Sequence, residues 1–317
     1  MLWLTEEDVR ALLPVPEAVP LMRQAFRDLA DGRALNQPRR RLALPTKAIL
    51  HAMAGAGPNY FGTKIYTTHP EHGAHFLFLL YDAATASPLA LMEANHLGRI
   101  RTGATTAVAV EALSPPEADE LGMIGTGFQA WTQLEAVLAV RRLRRARVWS
   151  RSPDRRGAFA AACRQAFGIE VEAAPTAREA VEGASIVITV TSSREPVLEA
   201  GWIGCDTLVC AVGSNHPARR ELPPELVLGA GRIVVDSLEQ ARIESGDLLL
   251  ARPAEQWHSL PIVELKELVL GARQSHASPG VTIFKSNGLA VEDVYAGAYV
   301  YEKALEQGRG KKAGFYS

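Results

Sequence analysis

Residues 120–124, ELGMI, form a short apolar run that passes directly into GTGFQA (125–130) and then into a helical pattern. Glycine at 125 permits a tight turn, glycine at 127 lets the backbone approach a pyrophosphate, and the small Ala130 permits close helix–strand packing. The unpaired N–H groups at the start of the following helix favour an anion. The same alternation continues downstream. RARVWS, ASIVITV, TLVCAVG and GRIVVD read as short apolar strands, with helix-like stretches such as DRRGAFAAACRQAFG between them. Such spacing predicts a parallel sheet covered on both faces. The expectation is a Rossmann-type, doubly wound α/β domain that holds a dinucleotide at Gly125, Thr126, Gly127, Phe128 and Gln129.

At 317 residues the chain is long enough for two domains. Its N-terminal third has a different pattern. Thr5 is placed to cap TEEDVRALL, and PEAVPLMRQAFRDLADG continues as a second amphipathic helix that ends on Gly32. Residues 40–93 contain RRLALP, AILHAMAG, YFGTKIYTT, HFLFLLYD and PLALMEA, strand-like runs separated by turn residues. These predict an antiparallel sheet, and hence an α+β domain. The small-residue helix RTGATTAVAVEAL stops at Ser114-Pro115-Pro116, where paired prolines break helical bonding. The domain boundary is therefore placed at 113/114. The tail, VEDVYAGAYVYEKALEQ, is again helical and is expected to rejoin the first domain.

The second strand of the nucleotide domain, RARVWS, ends about 25 residues after Gly125, where an NAD-binding fold places an acidic residue for the ribose hydroxyl. Here Ser150, Arg151 and Ser152 stand instead. A carboxylate would repel a 2′-phosphate, whereas an arginine and two hydroxyls bind it. NADP(H) is favoured, with NAD(H) the alternative.

Charge and composition narrow the partners. Lys+Arg 34 against Asp+Glu 35 gives a net charge of −1, which does not suit a nucleic-acid surface. No run approaches the roughly 18 apolar residues of a membrane span. The three cysteines form no CxxC pair, and the N-terminus turns acidic after four residues, unlike a secretory signal. A cytoplasmic location is expected. Cys205 and Cys210 flank a strand and are expected to be buried. His69, His72 and His75 fall where the pattern predicts a hairpin turn, and no metal site is expected. RRLRRAR (141–147) reads as a solvated helix end.

KIY (64–66), RTGATTA (101–107), GTGFQA (125–130), VGSNHPARREL (212–222) and SNGLAVEDVYA (286–296) occur in one order along most of the chain. In this set the chain resembles the ornithine cyclodeaminase/mu-crystallin family. The resemblance implies a substrate-binding and dimerisation domain at 1–113, completed by 289–317, and a nucleotide domain at 114–288. It also implies a homodimer through the first domain's sheet. Lys64 matches the family's active-site lysine and Arg101 the arginine that binds the substrate carboxylate. A second arginine follows a proline ahead of the first strands. Arg40 is the first choice for it and Arg39 the near alternative. Thr102, Thr191, Val212, Gly213 and Gly288 complete the implied cofactor contacts, Gly288 lying in the segment that closes over the nicotinamide.

Two positions depart from the cyclodeaminase branch. Asn215 stands where an aspartate acts on the substrate amine, and an amide cannot take up a proton at neutral pH. His51 stands where those enzymes carry a glutamate. The reading is therefore an NADPH-dependent reductase of cyclic ketimines, with a small imino or amino acid as ligand and Lys64, Arg101, Arg40 and Asn215 in the catalytic set. Ornithine cyclodeamination and non-enzymatic, NADPH-dependent ligand binding are the alternatives.

Overall fold

Thr5 caps the first helix as its sequence predicts. Its hydroxyl accepts the Asp8 N–H, and the Asp8 carboxylate accepts the Thr5 N–H. The computed structural model describes residues 1–270 and 280–314. It divides into unit 1, Met1–Thr105 with Gly288–Ser317, and unit 2, Thr106–Asn287.

The N-terminal elements are β1 (Leu2–Leu4), α1 (Glu6–Leu12), α2 (Val15–Ala30), β2 (Leu35–Ala43), β3 (Ile49–Ala56), β4 (Tyr60–His69), β5 (Gly73–Asp82), β6 (Pro88–Glu93) and α3 (Asn95–Leu113). Then follow β7 (Glu120–Ile124), α4 (Ala130–Leu138), β8 (Arg145–Trp149), α5 (Pro153–Phe167), β9 (Glu170–Ala173), α6 (Ala177–Val181), β10 (Ile186–Thr189), β11 (Leu208–Ala211), α7 (Pro224–Leu228) and β12 (Arg232–Val235). The chain continues through α8 (Leu238–Glu244), α9 (Gly246–Leu249), β13 (Ile262–Glu264), α10 (Leu265–Val269), β14 (Thr282–Lys285), α11 (Ala290–Gln307) and β15 (Lys311–Lys312).

In unit 1, β2 to β6 form the antiparallel meander that the alternating runs predict. Strand β1, parallel to β6, and the edge strand β15 complete the order β15-β1-β6-β5-β4-β3-β2. Strand alternation sorts the side chains. On β4, Gly62, Lys64 and Tyr66 are buried while Ile65 and Thr67 are exposed. Helix α11 packs on β3, β4 and α2, above a core that includes Met22, Phe26 and Phe78. Full burial of a side chain such as Phe78 contributes about 1.5–3 kcal/mol.

Unit 2 is a wholly parallel eight-stranded sheet in the order β13-β12-β14-β11-β10-β7-β8-β9. Every residue of β10, β11 and β14 is buried, as expected for strands covered on both faces. The chain runs outward from β7 through β8 to β9, then crosses back to β10 on the other side of β7. That reversal places a ligand crevice at the C-terminal ends of β7 and β10.

Some local expectations give way. No full helix joins β10 to β11, only a 3₁₀ turn at Ala200–Trp202, because Pro196 and Gly201 interrupt the segment. Cys205 is exposed in the turn before β11, and only Cys163 and Cys210 are buried. Four of the five arginines at 141–147 are engaged rather than merely solvated, and Arg142 is exposed. Arg141 donates to Val110 O, Glu111 O and Ser114 O, Arg144 and Arg145 pair with Glu120, and Arg147 donates to Glu179 O and Glu182 O. His69 and His72 close the β4–β5 hairpin with stacked rings.

Candidate active site

Strand β7 delivers Gly125 with φ +115°, a conformation that L side chains rarely adopt. A Cβ there would lie 2.5 Å from Val190 O, so the turn and the segment after β10 meet with no room for a side chain. At Gly127 a Cβ would project into open space, which leaves the backbone free to approach a ligand. A cavity of about 870 Å³ lies beside these glycines, within the size range of cofactor sites.

Seven of the sequence-predicted cofactor residues line it: Gly125, Thr126, Gly127, Ser150, Arg151, Ser152 and Thr191. Thr126 Oγ1 donates to Ser150 Oγ at 2.9 Å, which ties the glycine turn to the end of β8. Ser152 caps α5 by accepting the Arg155 N–H. Arg155, Ser192, Ser193 and Arg194 also line the cavity. Sequence reasoning missed these four, although TSSR directly after an apolar strand is dense in donors. Among the described lining residues Glu199 is the only carboxylate, so the wall suits an anionic ligand. The donors, the open glycine and the cavity's size fit a nicotinamide dinucleotide.

The other predicted cofactor residues do not line this cavity. Phe128 is half exposed and Gln129 opens α4; neither is among the cavity residues, nor are Val212 and Gly213. The Gly213 N–H donates to Glu221 Oε2. Thr102 and Gly288 belong to unit 1, where Thr102 Oγ1 donates to Gly98 O.

Unit 1 gathers a buried ionic cluster. Lys64, on the inward face of β4, sets Nζ 2.9 Å from Asp293 Oδ1. Arg101, on α3, places NH1 2.7 Å from Glu292 Oε2 and Nε 3.3 Å from Asp293 Oδ1. The two carboxylates sit in the first turn of α11, whose opening N–H groups at Ala290 and Val291 donate to Asn36 Oδ1 of β2. Close approach shapes the cluster. A Cβ at Gly98 would stand 2.6 Å from Lys64 Nζ, and one at Gly288 (φ +78°) would stand 2.5 Å from Arg101 NH1. Gly288 thus makes room for the guanidinium within unit 1.

Arg39, not Arg40, joins this cluster. A register irregularity between Gln37 and Arg40 turns Pro38 and Arg39 inward and leaves Arg40 exposed. The buried Arg39 guanidinium donates to Gly288 O at 3.2 Å and lies 3.6 Å from Met53 Sδ. His51 also faces inward, its Nε2 3.0 Å from Thr68 Oγ1 and its ring stacked on Tyr66. Asn215 lies in unit 2, after β11.

Burial pushes the Lys64 ammonium from 10.5 down to about 8 against the pull of Asp293, and Arg101 and Arg39 add to the lowering. Burial opposes the charge on Arg101 too, but Asp293 and Glu292 outweigh it and hold the guanidinium firmly ionised. Arg39, Lys64 and Arg101 against Glu292 and Asp293 leave one surplus positive charge. Such a surplus suits an anionic ligand, and the Lys64 proton can leave near pH 8. Glu292 and Asp293 were missed as site residues. Their signal was two acids opening a helix immediately after the glycine segment.

The family model described as the ornithine cyclodeaminase/mu-crystallin family matches residues 1–308. A Δ1-pyrroline-2-carboxylate reductase of Bacillus thuringiensis subsp. konkukian is 32% identical, over 99% of this chain and 100% of that protein. The Thermococcus litoralis Δ1-pyrroline-2-carboxylate reductase, solved with NADH and L-proline, superposes with a TM-score of 0.92 at 33% identity, covering 99% of this chain and 100% of that one. An archaeal alanine dehydrogenase dimer with bound NAD gives a TM-score of 0.93 at 31% identity, over 100% and 99% of the two chains. Matched along nearly its whole length by the family model and by these relatives, the chain belongs to the ornithine cyclodeaminase/mu-crystallin family.

Proposed function

We propose that the chain is an NADPH-dependent reductase of cyclic ketimines, imino acids of the pyrroline- or piperideine-2-carboxylate class, yielding the cyclic amino acid. The observation that carries this reading is the buried Arg39, Lys64 and Arg101 cluster with its one labile proton. Arg101 and Arg39 hold the substrate carboxylate, since a guanidinium offers two parallel donors to it. Lys64 provides the proton for the imine nitrogen. When bound, the nicotinamide supplies the hydride to the imine carbon. The C=N bond then becomes CH–NH, with one hydride on carbon and one proton on nitrogen.

Support for the cofactor half lies in the donor-rich cavity, and for the 2′-phosphate in Arg151 and Arg155 beside Ser150 and Ser152. Asn215 separates this reaction from cyclodeamination. A cyclodeaminase must free an amine whose ammonium form dominates at pH 7, its pKa being about 10.4, and that step needs a base. A ring already closed needs none. A second copy of this chain is the expected partner, seated on the apolar outer face of the unit 1 sheet.

The test is NADPH oxidation followed with Δ1-pyrroline-2-carboxylate and Δ1-piperideine-2-carboxylate, beside pyruvate plus ammonia and beside ornithine with NAD⁺. Turnover of a cyclic imine without ammonia release from ornithine is expected. Turnover confined to pyruvate plus ammonia, or proline and ammonia from ornithine, would overturn the reading.

A further inference from the structure

Lys285 ends β14 with its side chain wholly buried. An ammonium so placed requires close partners. Its Nζ lies 2.9 Å from Asp247 Oδ2 and donates to Ser214 O at 2.6 Å and Ala211 O at 3.3 Å. Asp247, in α9, uses Oδ1 to accept the N–H groups of Glu221 and Leu222 at 2.6 and 2.9 Å. Glu221, also fully buried, accepts from the Thr191 N–H at 2.6 Å, the Thr191 hydroxyl at 2.8 Å and the Gly213 N–H at 2.8 Å.

These contacts run from β14 to the segments that leave β10 and β11. The two segments touch, since a Cβ at Gly213 would stand 2.2 Å from Thr191 N. Thr191 lines the cofactor cavity. In a doubly wound sheet the half containing β7 and β8 takes the adenosine, and the half beyond the reversal takes the other nucleotide. Glu221 therefore works on the nicotinamide side. A buried ion pair is weak evidence of stabilisation, because an apolar set of similar volume is often as stable. Its position at three strand ends that face a ligand crevice gives it another use.

We propose that Glu221, held by Asp247 and Lys285, is a positioning residue that sets the cofactor-site wall against the nicotinamide ring through Thr191 and Gly213. This rests on the nicotinamide-cofactor reading above. A carboxylate alone satisfies the three converging donors, whereas a carboxamide offers one acceptor oxygen and sets its own N–H groups against the rest. Burial and Asp247 push the Glu221 carboxyl up to about 7, against Lys285 and the Thr191 hydrogen bonds. The neighbouring Arg220 is engaged by Glu195. Protonation at Glu221 thus removes an acceptor within the neutral range.

The experiment compares each dinucleotide with its ring-less counterpart: NADPH with 2′-phospho-ADP-ribose, and NADH with ADP-ribose, titrated calorimetrically. Glu221→Gln is expected to weaken the preferred dinucleotide at least about fivefold and leave the ring-less ligand within about twofold. Equal losses for both ligands, or no loss, would overturn the proposal. Retained ring-less binding shows that the variant is folded. Should it not fold, the wild type decides. The ratio of the dinucleotide Kd to the ring-less Kd should rise at least about threefold from pH 8 to pH 6 as Glu221 protonates, and a constant ratio would overturn the proposal. Failure of wild type to bind either dinucleotide would remove the cofactor reading itself, and this inference with it.

Discussion

Lys64 Nζ and Asp293 Oδ1 lie 2.9 Å apart with both side chains buried, joining β4 to a helix 229 residues further along the chain. The carboxylate keeps the lysine oriented. Burial and the two neighbouring guanidinium groups keep its proton labile. The C-terminal helix supplies Asp293, and with it the pull that opposes the loss of the lysine proton.

That balance sets the pH dependence. Because the Lys64 pKa is lowered from 10.5 to about 8, the proton-donating form is nearly complete by about pH 7 and is lost as pH rises through about 8. We expect kcat/KM for the imino acid to be level near pH 7 and to fall about tenfold per pH unit above 8. Lys64→Arg cannot lose its proton in this range, so the basic limb should vanish along with most of the rate. An unchanged kcat/KM up to pH 9.5 in the wild type would rule out Lys64 as the donor.

Arg39 and Arg40 provide a paired test of substrate binding. Arg39 is buried beside Lys64, whereas Arg40 is exposed. A charge-assisted hydrogen bond contributes about 1.5–3 kcal/mol, so Arg39→Ala should raise the imino-acid KM roughly 10- to 100-fold. Arg40→Ala should stay within about twofold, as surface changes do. Steady-state kinetics at saturating NADPH measure both, and equal effects would remove Arg39 from the site.

The nucleotide domain was legible because its signals are local. An apolar run, a glycine turn and a helix are contiguous at 120–138, and β7, α4 and the glycine geometry appear there. β14 escaped notice because a four-residue strand ending in lysine resembles a loop, and its pairing with β11 and β12 is wholly non-local. Arg39 against Arg40 turned on one register irregularity in β2. A one-residue change of phase inverts every side chain on a strand, and composition carries no trace of it. Glu292 and Asp293 lie within SNGLAVEDVYA, but their roles emerge only when α11 is set on β3 and β4.

The outer face of the unit 1 sheet predicts self-association. Leu42 pairs directly with Leu50 and Ile65 with Leu77, and all four are exposed. Contiguous exposed apolar residues on a sheet mark an interaction surface. Ile65→Lys places a charge in the middle of it and should turn a dimer into monomers in sedimentation velocity, at unchanged far-UV circular dichroism. A wild type that sediments as a monomer at micromolar concentration would remove the dimer expectation.

Arg151 and Arg155 line the cavity beside Ser150 and Ser152, at the end of β8 where a ribose-binding carboxylate would stand in an NAD-specific site. A 2′-phosphate there gains charge-assisted hydrogen bonds, each contributing about 1.5–3 kcal/mol, while a ribose hydroxyl gains little from a guanidinium. Arg151→Asp both removes a donor and adds a repelling charge. It should raise the NADPH Kd at least about tenfold and leave or improve that for NADH, because the new carboxylate can accept the ribose hydroxyls. Fluorescence titration of both reduced dinucleotides, in parallel at low and high salt, measures the shift, and the NADPH advantage should shrink with salt as screening grows. If wild type binds NADH as tightly as NADPH and the variant behaves alike, the arginine is a surface charge and the cofactor is NAD(H).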